Sequence, residues 1–125
     1  NDILSILMKG EDNLDRRCLE QINELLDSSQ LNFFQDIPDI VRERFSDING
    51  EDIEEFRNYV KEFVECCIEY GDILANQFKV PFLPRDDRSK REIGKYIVEC
   101  QKKYPEIEEK HIRGIFSTVC WLANR

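Results

Sequence analysis

Chemistry in this chain would have to start from one histidine, five cysteines and a dense run of carboxylates. The histidine, His111, sits in "EEKHI" with Glu108 three residues before it. Glu-x-x-His on a helix is half of a carboxylate-bridged di-iron site, which needs a second such pair and two more glutamates. With a single histidine a monomeric site of that kind is excluded, and His111 is expected on a solvated helical surface. The cysteines are Cys18, Cys66, Cys67, Cys100 and Cys120, with no Cys-x-x-Cys among them. Zinc chelation has no support in that spacing. Each thiol falls in an apolar helical pattern, where free cysteine behaves as a small hydrophobe. Reduced core thiols are the expectation, and with them an intracellular setting, cytoplasmic or nuclear. Cys66 and Cys67 are neighbours that point about 100° apart on a helix, too divergent to bridge or chelate. Glu62, Glu65 and Glu69 surround them and disfavour a thiolate, so no reactive thiol is expected there.

The carboxylates are the stronger signal. Glu51, Asp52, Glu54, Glu55, Glu62, Glu65 and Glu69 fall on one helical face. Paired carboxylates can do acid–base work, but a solvated face, or a docking surface for a basic partner, needs nothing more. There is no glycine-rich phosphate loop and no nucleophile elbow. No catalytic residue, cofactor or metal is therefore expected, and the chain is not read as an enzyme. Opposite charge gathers later. Residues 1–80 hold 8 Lys/Arg against 19 Asp/Glu, a net of −11, and residues 81–125 hold 10 against 7, a net of +3. The basic 85–113 region could contact phosphates, which makes a helical nucleic-acid-binding regulatory domain the alternative. Asp86, Asp87 and Glu92 interleave with those cations, and the acidic remainder repels nucleic acid and anionic membranes.

The elements that must carry these residues follow from periodicity. Apolar residues at 41% and charged residues at 35% are globular proportions. "NDILSILMKG" lacks an initiator Met, as expected of a piece of a longer protein, and has neither the basic front nor the cleavage site of a signal peptide. Short apolar spacing predicts a helix over 2–9, and Leu14, Cys18, Leu19, Ile22, Leu25 and Leu26 predict one over 13–28. Phe33 to Phe45 predict a main helix at about 37–47 with one turn before it, because Pro38 suits only a first turn or a kink. "SDINGED" reads as a turn whose Asn49 to Asp52 cap the next helix. Ile53, Phe56, Val60, Phe63, Cys67, Tyr70 and Leu74 form a seam in a helix over 51–79, about 40 Å long at 1.5 Å per residue. Val64, Ile68, Ile73 and Phe78 widen it, and Gly71 is expected to kink it.

Pro81 and Pro84 hold an extended linker over 80–88, with Phe82 and Leu83 tucked onto the core. "SKRE", Ser89 to Glu92, has the form of a capping box for a helix over 89–103. Pro105 suits the first position of a last helix over 105–124, with Ile112, Ile115, Phe116, Val119, Cys120 and Leu122 buried. Trp121 is expected in the core or at an interface. No period-two run or hairpin signal appears, so the fold class is all-α: antiparallel helical hairpins, either stacked or a compact bundle. One helical domain over 1–125 is expected, in pairs 2–28, 31–79 and 89–124.

The first two pairs look alike. Each has an apolar helix, an acidic turn, and a helix with Arg near its start; Arg16 and Arg57 lie 41 residues apart. With Pro38, Asp39, Ile40 and Val41 in a first helix, Asp47 in the turn, and Arg57 and Val60 in a second helix, residues 2–79 resemble HEAT-type helical repeats. Asp12 and Arg16 take the matching parts in the first unit. The long acidic second helix is similar in style to those of nuclear transport receptors. The resemblance implies a non-enzymatic protein-binding scaffold or adaptor. Its partner would be a protein with a basic segment, held by an acidic surface and anchored in apolar grooves. The residues expected to contact it are Glu51, Glu54, Glu55, Glu62, Glu65, Phe82, Leu83, Arg85 and Arg88.

Overall fold

The computed structural model describes residues 16–29, 33–82 and 84–124. Six helices and no strand occur among them: α1 (Arg16–Glu20), α2 (Ile22–Ser29), α3 (Phe33–Arg44), α4 (Gly50–Asn76), α5 (Asp87–Lys103) and α6 (Glu109–Ala123). The all-α class follows from the 3.6-residue periodicity of the apolar positions. The expected helix over 2–9 lies outside the described residues. The chain divides into two compact units, residues 1–61 and 62–125, with the division inside α4 rather than at a linker.

In the first unit, α1 and α2 form one run. The ladder continues through Gln21, whose N–H bonds the Arg17 carbonyl at 3.1 Å and whose carbonyl accepts from Leu25 N–H at 3.0 Å. Their apolar stripe of Cys18, Leu19, Ile22, Leu25 and Leu26 is buried, as are Val41 and Phe45 from α3 and its end. Two arginines stitch polar edges across this core. Arg44 donates to Glu24 at 2.9 Å and to Gln21 at 3.1 Å, tying α3 to α2. Arg17 donates to Asp47, and its guanidinium also lies 5.1 Å from the Phe45 ring centroid. Arg16, the counterpart of Arg57 on sequence grounds, faces Glu20 of its own helix at 3.9 Å.

The helix around Pro38 corrects an expectation. It begins at Phe33 and holds Pro38 past its first turn, ending at Arg44 instead of 47. A proline there removes one intrahelical hydrogen bond and crowds the carbonyl four residues before it, yet the helix continues through it to Arg44. Asn49 caps α4 as expected: its Oδ1 accepts the Asp52 N–H at 2.8 Å, and Glu51 and Asp52 sit at the positive end of the helix dipole.

The second unit packs the later part of α4 with α5 and α6. Phe63, Cys67 and Leu74 are fully buried. Phe63 meets Tyr104 edge-on at 5.4 Å, and Tyr70 meets Tyr96 at 5.0 Å. Gly71 does not interrupt α4. It lets α6 approach, because a Cβ there would stand 3.0 Å from the Val119 Cβ. The helix ends at Asn76, short of the expected 79; beyond it Lys79 is left-handed (φ 56°), and the Val80 N–H turns back to the Leu74 carbonyl at 3.0 Å.

Three further expectations change in this unit. The cap of α5 is Asp86, whose carboxylate accepts the Ser89 N–H at 3.0 Å; Ser89 itself is buried in the first turn. Asp86 precedes Ser89 and offers the better acceptor, so the helix starts two residues before Ser89. The segment from Pro105 to Ile107 is a turn, and α6 begins only after Glu108. Burying Ile107, at 2% exposure, pulls that turn inward and delays the helix. Leu122 is 53% exposed and Trp121 45%, so the buried face of α6 closes at Cys120.

Candidate functional site

The acidic face is carried by α4. Ile53, Phe56, Val60, Phe63 and Cys67 are fixed inward by their spacing, which forces the intervening positions outward. In the first unit those positions include Glu51, Glu54 and Glu55, and in the second Glu62, Glu65 and Glu69; all six are exposed. Glu54 faces Arg57 at 3.6 Å, one turn along the helix. Glu51, Glu55, Glu62 and Glu69 make no ion pair within 4.0 Å among the described residues. Like charges spaced at three and four residues repel one another by a few tenths of a kcal/mol per pair. A cationic ligand removes that repulsion.

The connection from α4 to α5 places its named residues differently. Phe82 is 40% exposed rather than tucked away. It lines a shallow groove of about 170 Å³ in the second unit, together with Val80, Pro84, Ile93, Phe116 and, at the rim, Arg113. Leu83 lies outside the described residues. Arg85 is exposed. Arg88 is held by the fold: it donates to the Phe78 carbonyl at 2.6 Å and faces Asp86 at 4.0 Å. That arginine fastens the start of α5 to the end of α4.

A thiol cluster escaped sequence reasoning. Cys67 on α4 and Cys100 on α5 are both fully buried with sulfurs 3.8 Å apart, and half-buried Cys66 lies beside them. Lys103 stands near, its Nζ donating to the Tyr70 hydroxyl at 3.1 Å and lying 5.3 Å from that ring's centroid. Tyr104 is pushed up to about 12, first by burial and then by the negative potential of Cys66 and Glu62. Periodicity put Cys67 and Cys100 on buried faces but does not fix the register between two helices, so their contact carried no sequence signal.

No group of histidines, cysteines and carboxylates among the described residues is arranged to hold a metal. All five cysteines are free. No described helix is long and apolar enough to cross a membrane. Comparison with protein-family models, with curated proteins and with solved structures finds no match to this chain. Among the described residues the arrangement is all-α, with three exposed glutamates of α4 in each unit.

Proposed function

We propose that the chain is a non-enzymatic protein-interaction module, a scaffold or adaptor that holds a basic segment of a partner protein along the acidic face of α4. The observation that carries this reading is the row of exposed glutamates at 51, 54, 55, 62, 65 and 69 on one helix. Such a row raises the local concentration of a cationic segment and speeds encounter, while affinity comes from apolar anchoring. The groove beside Phe82 is the anchoring surface in this reading. Arg85 stands exposed on the same connection and would select an acidic residue flanking the basic segment.

A HEAT-type repeat relation is proposed with it, supported by the order of α3, a turn bearing Asp47, and α4. An intracellular location, cytoplasmic or nuclear, is part of the same proposal and draws support from the five free thiols.

Affinity capture on the immobilised chain, with and without nuclease, tests the reading. A basic protein retained after nuclease treatment and released by moderate salt supports it. Retention only of RNA or DNA, or of proteins lost with the nucleic acid, overturns it.

A further inference from the structure

Cys67 and Cys100 belong to the second unit, one on α4 and one on α5. Both are 0% exposed, and their Sγ atoms are 3.8 Å apart. A disulfide bond measures about 2.0 Å, so the sulfurs need to close by less than about 2 Å. The two thiols are not equivalent. Lys103 lies one turn beyond Cys100 on α5 and is anchored by Tyr70, which holds its ammonium near Cys100. Cys100 is held below the ordinary thiol value, chiefly by its hydrogen bond with Cys67; burial opposes this, and Cys66 and Lys103 reinforce it. Cys67 is pushed up, first by that same hydrogen bond and then by burial. Of the two thiols, Cys100 is thus the lowered one and Cys67 the raised one.

We propose that Cys67 and Cys100 form a peroxide-responsive pair, in which Cys100 is oxidised first and Cys67 resolves it to a disulfide that ties α4 to α5. The oxidant is hydrogen peroxide. The Cys100 sulfur attacks one peroxide oxygen and the O–O bond breaks. The product is a sulfenic acid, and the departing hydroxide leaves as water with the Cys100 proton. The Cys67 sulfur then attacks the sulfenic sulfur. The S–S bond forms, the S–O bond breaks, and the hydroxide leaves as a second water with the Cys67 proton. Two thiols lose two electrons and one peroxide becomes two waters. Peroxide is the size of water, and with both thiols buried it must reach the pair by local opening, so the reaction is slow compared with that of a surface thiol. Cys120 supplies an internal contrast: it is buried and burial alone raises its thiol, so it is expected to remain alkylatable in the same experiment.

The test uses the full chain in native buffer. It is exposed to hydrogen peroxide, then denatured, alkylated at the remaining thiols and mapped by mass spectrometry. The expected result is loss of two hydrogens from the intact mass and one cross-linked peptide joining Cys67 to Cys100, reversed by dithiothreitol. Cys66→Ser keeps the cross-link and Cys100→Ser abolishes it. The proposal is overturned if Cys67 and Cys100 remain alkylatable after prolonged exposure to excess peroxide under conditions that keep the chain folded, or if the cross-link joins Cys66 to Cys100. The wild-type map decides the matter by itself if the Cys100 variant does not fold.

Discussion

Gly71 and Val119 meet so closely that a Cβ on the glycine would lie 3.0 Å from the Val119 Cβ and 3.1 and 3.2 Å from its two methyl carbons. Two effects compete in Gly71→Ala. Alanine in a helix interior gains about 1 kcal/mol over glycine. Overpacking a tight contact costs about 1–3 kcal/mol, and β-branched Val119 has little rotamer freedom with which to yield. The contact wins, so Gly71→Ala is expected to lower stability by about 1 kcal/mol net in urea unfolding. Adding Val119→Ala to that variant should cost less than Val119→Ala costs alone in the wild type. Additive losses would show that the two helices are not in contact at this point.

Lys79, three residues past the last helical residue of α4, holds a left-handed conformation that L-residues disfavour. Glycine adopts it without a Cβ clash. Lys79→Gly is therefore expected to stabilise the chain by about 1 kcal/mol, seen as a higher urea midpoint at unchanged slope. A loss of stability would contradict the capping geometry.

Asp86 sets a pH dependence. Hydrogen bonding from Ser89, whose N–H reaches the Asp86 carboxylate at 3.0 Å, holds its carboxyl below the ordinary value of 3.8. A folded pKa below the unfolded one contributes stability that is present above the unfolded value and is lost as pH falls through the folded value. Its contribution should fade in acid, below about pH 4. Asp86→Asn keeps an oxygen acceptor but does not titrate, so its melting temperature should fall less steeply than the wild type's over that range. Parallel acid profiles would remove Asp86 from the account.

Arg17 donates to both Asp47 oxygens, at 2.9 and 3.0 Å, yet the two side chains are 43% and 71% exposed. Solvent screens a pair so placed. A double-mutant cycle with Arg17→Ala and Asp47→Ala should give a coupling of about 0.5 kcal/mol that shrinks with added salt. Arg17→Ala alone should cost more than Asp47→Ala, because it also removes the guanidinium from the Phe45 ring.

How far these features could be read from sequence depended on range. The long seam of α4 came through because Ile53, Phe56, Val60, Phe63, Cys67 and Leu74 repeat over several turns and share one burial pattern. Asn49 was legible as a cap because capping is a contact across three residues. Where two local signals competed, the choice needed the fold. Asp86 and Ser89 are both good caps, and the serine's burial decides against it. Pro105 suits a first helical position, but Ile107 must reach the core, and that holds the chain in a turn. Contacts between helices left no trace: neither the approach of Val119 to Gly71 nor that of Cys100 to Cys67 can be deduced from periodicity. Of the candidate surface, the outward placement of the α4 glutamates was legible, whereas the engagement of Arg88 by the Phe78 carbonyl was not.

The central claim, that the acidic face of α4 recruits a basic partner protein, is tested most directly by position-specific charge reversal. The variant Glu51→Lys, Glu54→Lys, Glu55→Lys, Glu62→Lys, Glu65→Lys is compared with a control of equal net charge: Glu20→Lys, Asp39→Lys, Glu43→Lys, Asp87→Lys, Glu99→Lys. Both are checked for helicity by circular dichroism, and nuclease-treated captures on each are quantified against the wild type. The expected result is a basic partner held by the wild type and the control and lost at least tenfold from the α4 variant, about 1.4 kcal/mol of binding. Equal retention by both variants, with their helicity intact, would contradict the claim.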